Sequence, residues 1–274
     1  MPDFGIFRGF NEKLFGDKLV AGQLPTQLGL IGSEVFGFDP DYQDILDYAT
    51  TQGYTLPSLS QQALQNQLVV DLKDAGIWSA LDVFYVFATD GDSDFASINW
   101  RDTSNFEITE VNSPTFTSNQ GFASDGTSYL NTNYNVLNDS TNFQLLSNGL
   151  AYYITEVGIF HHGARDGVND TQIFYSVDAK RHQIRAKDYT IANNTYFASV
   201  RNGSSVAGYE NNTNVLNYTN TPTALTNQDY LLLALNNVGT PITAGTAEIS
   251  FFTMGDQFNN SDMYNAWNDY YTAL

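Results

Sequence analysis

Between about residues 95 and 252, short runs of alternating apolar and polar residues are separated by turn dipeptides. The runs 172–177 and 248–252 have the length of a β-strand, in which every second side chain lies on the same face. The turns are Asx-Gly pairs, which accept the positive φ angles of tight hairpins: Asp125-Gly126, Asn148-Gly149, Asp166-Gly167 and Asn202-Gly203. Many short strands at this spacing predict an antiparallel sandwich or barrel.

The composition agrees with a β-rich globular chain and argues against several classes of partner and site. Of the 30 acidic residues, 23 are Asp, which favours turns, and 7 are Glu, which favours helix interiors. A net charge of −19 argues against nucleic acid and anionic membrane surfaces, since both require clustered cations. The absence of cysteine excludes disulfides, thiolate metal sites and cysteine nucleophiles. We expect no membrane insertion, because no apolar run reaches ~20 residues. We expect no secretory signal, because the N-terminus has no basic start followed by an apolar block.

Two helices are predicted within residues 39–94, and a short apolar segment at 78–87 follows them within the same range. A further helix is predicted near 261–274. Asp39-Pro40 is a typical helix start, and Ser58 with Gln61 has the pattern of a capping box. Apolar residues recur at helical spacing in both helices: Tyr42, Ile45, Leu46 and Ala49, then Leu64, Leu68, Val69 and Leu72. The chain is therefore divided into an N-terminal arm (1–38), a small helical segment (39–94) and a β domain with a C-terminal helix (95–274).

The arm carries large apolar residues that are too dense for a solvated tail: Phe4, Ile6, Phe7, Phe10, Leu14 and Phe15. Two interpretations stay open for it. The arm is a strand tucked against the domain, or it docks onto another subunit, as exposed aromatic patches usually do. In the second case these six residues form a partner-docking surface.

Three stretches resemble, in order and spacing, a group of tailed-bacteriophage virion proteins. They read QNQLVVDLKDAGIW (65–78), FTSNQGFASDGTSYLNTNYN (116–135) and ISFFTMG (249–255). The resemblance covers about residues 40–274 and implies a mainly β fold: an antiparallel, concanavalin-A-like (laminin-G-like) jelly-roll sandwich after a helical lead-in. The arm lies outside the resemblance, and its position alone suggests that it anchors the chain.

The resemblance also implies a role and a location. Proteins of this group are mostly regarded as non-enzymatic structural components, such as tail fibres or capsid decoration. The expected partners are other virion proteins and further copies of the same chain. Such a virion protein would be assembled in the host cytoplasm and exposed on the particle surface.

An adhesion module that binds host surface glycan is the alternative. Tyrosine and asparagine suit sugars because they offer a flat apolar face and paired hydrogen-bond donors and acceptors. The same residue types equally suit strand packing and turns. The candidate glycan contacts are Tyr129, Asn131, Asn133 and Tyr134.

A polysaccharide depolymerase is the weaker alternative. Jelly-roll glucanases present their acids as Glu-x-Asp-x-Glu along one strand, and this chain has no such triplet. The nearest pair, Glu107 and Glu110, would lie on opposite faces of a strand. We therefore expect no catalytic residues.

Two charged segments and a histidine pair are further candidates. The alternating acids of 90–94 resemble the first half of a calcium loop, so a bound Ca²⁺ is an alternative to a solvated turn.

The neighbours His161 and His162 would point to opposite strand faces, so we expect no metal there and no other cofactor. If 180–187 is one strand, Arg181, Arg185 and Lys187 share a face. That face would protect a sheet edge, or contact an anion or an acidic subunit.

Overall fold

The computed structural model describes residues 37–156, 161–165, 170–176, 179–182, 186–187, 193–219, 221–222, 224–243 and 246–274. Within these residues the helices are α1 (Pro40–Gln52), α2 (Leu59–Asp74), α3 (Ser93–Ala96) and α4 (Asn260–Tyr271). The strands up to the middle of the chain are β1 (Leu81–Val86), β2 (Thr109–Val111), β3 (Thr115–Thr117), β4 (Gly121–Ala123), β5 (Tyr129–Asn135), β6 (Ser147–Glu156), β7 (His161–Arg165) and β8 (Asp170–Ser176). They are followed by β9 (Ala179–His182), β10 (Ala186–Lys187), β11 (Thr195–Asn202), β12 (Ser205–Glu210), β13 (Thr213–Thr219), β14 (Asp229–Leu232), β15 (Ala234–Asn237), β16 (Thr240–Thr243) and β17 (Glu248–Gly255).

The strands form two facing sheets. The first sheet has the order β13-β12-β11-β6-β17-β4-β3, and β1 pairs with β17 beside β4. The second sheet has the order β10-β9-β8-β7-β14-β5-β2, with the hairpin β15–β16 attached to β7. Pairing is antiparallel throughout the described strands except between β15 and β7. The predicted mainly β sandwich, closed by a C-terminal helix, is confirmed.

The first sheet is covered on both faces, so the molecule has three layers. Phe251 of β17 stacks on Trp267 of α4 at a centroid distance of 4.5 Å. Its neighbour Phe252 points the other way and stacks on Tyr230 of the second sheet at 5.2 Å. One apolar core therefore lies between the helices and the first sheet, and a second core lies between the two sheets.

The segment 78–87 differs from the prediction because it contains a strand. Residues 39–94 were assigned to a helical segment, yet Leu81–Val86 forms β1 in the first sheet. In β1, Phe84 faces the helices and Tyr85 faces the second sheet, and both are fully buried. A strand buried on both faces is apolar at nearly every position, so it lacks the alternation that identifies a half-exposed strand.

The predicted helix starts are confirmed. The Asp39 side chain accepts a hydrogen bond from the backbone N–H of Asp41, and Ser58 Oγ accepts one from Gln61 at 3.4 Å. The four apolar residues predicted for α1 are all buried. In α4, the helix predicted near 261–274, Met263, Trp267 and Tyr270 are buried and Tyr271 is partly buried.

Helix α2 buries a different face from the one predicted. Leu68, Val69 and Leu72 are buried, but Leu64 is only partly buried, and glutamines occupy the rest of the face: Gln61, Gln62 and Gln65. The polar core between α2, α4 and the end of β1 therefore consists of amide and hydroxyl groups that bond one another. Among the described residues, no helix is long and apolar enough to cross a membrane.

Candidate functional site

A cavity of about 310 Å³ lies on the outer face of the second sheet, where β5, β14 and the β15–β16 hairpin meet. Leu130 and Leu232 of these strands point inward to the core, so their neighbours point outward into the cavity. We call this cavity the amide pocket. It is lined by Tyr129, Asn131, Asn135, Asn227, Gln228, Asp229, Leu231, Asn236, Gly239 and Pro241.

A β-bulge in β5 shapes the amide pocket. Asn131 pairs with Leu231 and Asn135 with Asp229, so three residues of β5 oppose a single residue of β14. Asn133, at the bulge, has a φ of 54°, which asparagine accepts more readily than most residues. Its backbone N–H donates to Asn131 Oδ1 at 2.9 Å.

Two buried amides form a fixed floor. Asn135 Nδ2 donates to Asn227 Oδ1 at 3.1 Å, and Asn135 Oδ1 accepts from the backbone N–H of Leu137 at 3.0 Å. Asn236 Nδ2 donates to the backbone oxygen of Asp229 at 3.0 Å, and its Oδ1 accepts from Gly239 N–H at 2.9 Å. Both ends of each amide are engaged, so these residues hold the lining in place.

Other polar groups of the lining have no partner within the described part of the chain. They are the phenol of Tyr129, Nδ2 of Asn131, Nδ2 of Asn227, the amide of Gln228 and the carboxylate of Asp229. Together they offer hydrogen-bond donors, acceptors and one aromatic ring. The pocket can therefore bind a small molecule with several hydroxyl groups and a partly apolar surface.

A second cavity, of about 470 Å³, lies on the outer face of the first sheet over β11–β13. Its lining includes Val200, Val206 and Ala207, and is more apolar than that of the amide pocket. One of its amides, Asn217, exchanges hydrogen bonds with Asn214, which reduces what it can offer to a ligand. Gln257 lines this cavity on an exposed part of the chain.

The predicted glycan contacts divide between pocket and core. Tyr129 and Asn131 line the amide pocket. Asn133 is exposed but donates to Glu107 O at 2.7 Å and to Thr109 Oγ1 at 2.9 Å, so its side chain supports the bulge. The prediction of Tyr134 as a surface contact is wrong: the residue is fully buried, because it shares the inward face of β5 with Leu130 and packs in the core between the sheets.

The lining residues that the sequence did not identify lie about a hundred positions further along the chain. Asn227, Gln228 and Asp229 precede and begin β14, and Asn236 lies in β15. Only the register of β14 against β5 brings them to Asn131 and Tyr129. The polar run before the buried strand β14 was the one available signal.

The acidic segment at 90–94 organises the chain locally. Asp90 Oδ1 accepts from the backbone N–H of Ser58 at 2.9 Å, next to the start of α2. Asp92 accepts from Phe95 N–H at the start of α3 and from Thr55 N–H. These bonds explain the alternating acids without Ca²⁺. The described residues contain no group of three or more His, Asp or Glu side chains placed to hold a metal ion.

Glu107 and Glu110 do not share a strand, since β2 begins at Thr109. Glu107 accepts hydrogen bonds from the phenols of Tyr48 at 2.9 Å and Tyr54 at 2.7 Å. Partial burial, together with this hydrogen bond and the negative charge of Glu107, raises the pKa of Tyr48 to about 12. Burial and the neighbouring charge of Asp94 raise the pKa of Glu110 above its ordinary value.

Two sets of candidate residues fall wholly or partly outside the described side chains. The condition that 180–187 is one strand is wrong, because the backbone forms the hairpin β9–β10, with Ala186 opposite Arg181. Arg185 lies outside the described residues, so an anion-binding face of Arg181, Arg185 and Lys187 stays a prediction. The arm residues lie outside them as well: Phe4, Ile6, Phe7, Phe10, Leu14 and Phe15.

Comparisons with known proteins identify the architecture. No protein-family profile and no curated protein sequence matches the chain. A mutant of Trypanosoma rangeli sialidase displaying trans-sialidase activity is similar with a TM-score of 0.52 and 11% identity, over 78% of this chain and 40% of that one. Domain 4 of AbnA, an extracellular GH43 arabinanase from Geobacillus stearothermophilus solved with arabinotriose, has a TM-score of 0.41 and 13% identity, over 68% of this chain and 97% of that one. The binding domain of botulinum neurotoxin serotype D has a TM-score of 0.45 and 10% identity, over 73% of this chain and 52% of that one.

These likenesses concern the fold. The chain spans 40% of the sialidase and about half of the neurotoxin binding domain. At 9–13% identity, a shared fold does not carry a shared site. The chain is thus a β-sandwich similar in architecture to part of the sialidase, and the resemblance to phage virion proteins stays a prediction.

Proposed function

We propose that this protein is a non-enzymatic carbohydrate-binding module and that the amide pocket is its binding site. The observation that carries the proposal is that the lining contains two kinds of polar side chain, some fixed by hydrogen bonds and others available to a ligand. Asn135 and Asn236 are fixed by hydrogen bonds at both ends, while Tyr129, Gln228 and Asp229 present unengaged polar groups around them. Binding is stronger when the contact groups are held in place beforehand, because less freedom is lost.

The chemistry of the lining matches a sugar ring. A sugar presents hydroxyl groups that both donate and accept hydrogen bonds, and amides offer both functions within one side chain. The ring of Tyr129 offers an apolar surface for the C–H face of the sugar. A volume of about 310 Å³ is at the lower end of the range for small-molecule sites, which suits one ring and part of its neighbour.

A glycan panel tests this proposal with the full chain and a matched pair of variants. Gln228→Ala removes an amide that has no hydrogen-bond partner among the described residues, so the fold should be unaffected. Loss of two hydrogen bonds of about 0.5–1.5 kcal/mol each should weaken glycan binding roughly tenfold. The control Gln257→Ala removes an exposed amide at the second cavity and should bind like the wild type.

Three results would contradict the proposal, in whole or in part. A panel with no selective binding would reject the module as a glycan receptor. Equal affinity of Gln228→Ala and wild type, with weaker binding by Gln257→Ala, would move the site to the second cavity. Release of reducing ends from a bound polysaccharide would overturn the non-enzymatic part of the proposal.

We further propose that the module is displayed on a bacteriophage particle as a fibre, tail or capsid decoration component. The resemblance of 65–78, 116–135 and 249–255 to virion proteins supports this proposal. Antibodies against the chain should label purified particles of a phage that encodes it. Particles that carry no label and contain no such chain by mass spectrometry would reject this location.

A further inference from the structure

We propose that the amide pocket selects neutral sugars and rejects sugars that carry a carboxylate, and that Asp229 determines this specificity. The inference rests on the proposed function, since it concerns the ligand class of the same pocket. Among the described residues, the lining carries one carboxylate and no lysine or arginine, and the inference starts from this charge.

The carboxylate of Asp229 favours a neutral ligand with neighbouring hydroxyl groups. It has no hydrogen-bond or ion-pair partner within the described part of the chain, and the residue is half-buried at the start of β14. An ionised carboxylate has two acceptor oxygens and no donor, so it is satisfied by ligand groups that donate. Two hydroxyl groups of one sugar ring can donate to it, and hydrogen bonds to a charged group are stronger than neutral ones.

A sugar carboxylate in the same place would face an unfavourable environment. The two negative charges would lie a few ångströms apart in a partly desolvated pocket, where screening by water is reduced. The amides of Asn131, Asn227 and Gln228 can donate hydrogen bonds but carry no charge, so they cannot neutralise either group. Negative selection by a like charge is a general route to specificity.

Two cations elsewhere in the described structure lie outside this pocket. Lys73 pairs with Asp39 and Asp41 on the helical layer, which lies on the other side of the first sheet. Arg165 of β7 is opposite Asn237, next to the pocket residue Asn236, but does not line the pocket. The net charge of −19 adds a repulsion of anionic ligands at longer range.

The test uses matched ligands and one isosteric variant of the full chain. The probes are immobilised neutral hexose oligosaccharides and the same oligosaccharides with the hydroxymethyl groups oxidised to carboxylates. The wild type should bind the neutral member of a pair at least tenfold more tightly. Asp229→Asn keeps the shape but removes the charge, so it should reduce this ratio to less than threefold. For the wild type, binding of the oxidised member should improve as salt is raised from 50 to 500 mM, because salt screens the repulsion.

Each outcome bears on the inference or on the function beneath it. Equal or tighter binding of the oxidised sugars by the wild type would overturn the inference and leave the glycan-binding function standing. An unchanged ratio in Asp229→Asn would show that another group selects the ligand. No binding to any member of the panel, neutral or oxidised, would reject the proposed function, and the inference with it.

Discussion

Tyr134 was chosen as a glycan contact by its residue type, but its side chain lies in the core. Its phenol donates to Asp82 Oδ2 at 2.9 Å, and the same carboxylate accepts the backbone N–H groups of Asn142 and Phe143 at 2.8 Å. The residue therefore fastens β5 to β1 from inside the sandwich. Thr132, two places earlier in β5, points inward as well, so Leu130, Thr132 and Tyr134 follow the ordinary alternation of a strand. That alternation places Tyr134 on the face opposite Asn131 and Asn133, and a choice made by residue type alone does not separate the two faces.

Tyr48 makes stability at alkaline pH a residue-scale prediction. Its pKa rises from 10.0 to about 12 on folding, through burial and the hydrogen bond to Glu107. The protonated phenol thus stabilises the fold fully below pH 10, and this contribution is lost as the pH rises from 10 through 12. Tyr48→Phe should show a smaller decrease in the free energy of unfolding over this interval than the wild type.

Urea unfolding at a series of pH values between 8 and 12 measures this difference. At pH 8 the free energies of unfolding of the two proteins should differ only by the contribution of the lost hydrogen bond. Parallel curves for wild type and Tyr48→Phe up to pH 12 would show that Tyr48 does not titrate in this way.

At the scale of an element, α2 shows what a hydrophobicity pattern leaves out. Gln65 Oε1 accepts from the phenol of Tyr42 at 2.7 Å, and its Nε2 donates to Thr89 Oγ1 at 3.1 Å and to Tyr270 Oη at 3.3 Å. One glutamine thus joins α1, α4 and the end of β1. Caps and apolar spacing predicted where α2 begins and that Leu68 and Leu72 are buried, but not that Leu64 is only partly buried and that amides complete the buried face.

Gln65→Leu should destabilise the protein although it adds an apolar residue to a buried position. The buried phenol of Tyr42 would lose its acceptor, while Thr89 and Tyr270 would each lose one bond but keep another. An unsatisfied buried group costs about 1–3 kcal/mol. Chemical denaturation should show a decrease in the free energy of unfolding of this size. The control Gln67→Leu lies on the same helix, where its amide bonds only Asp71, and should cost less than about 0.5 kcal/mol. Equal effects of the two variants would contradict a special role of the buried network.

At the scale of the whole molecule, the fold was predictable as a class and the site was not. Turn chemistry and alternation identified a β-sandwich, because strands such as β5 and β12 alternate buried with less buried side chains. The central strand β1 is buried on both faces, between the helices and the second sheet, and its apolar run lacks that alternation. The amide pocket depends on the register of β5, β14 and β15, which long-range packing sets.

The crystal structure of the full chain soaked with the neutral oligosaccharide that binds most tightly tests the central claim most directly. If the amide pocket binds glycan, we expect electron density for a sugar ring against Tyr129, with hydroxyl groups hydrogen-bonded to Gln228 and Asp229. Density confined to the second cavity over β11–β13, or an amide pocket that contains only solvent at saturating sugar, would contradict it.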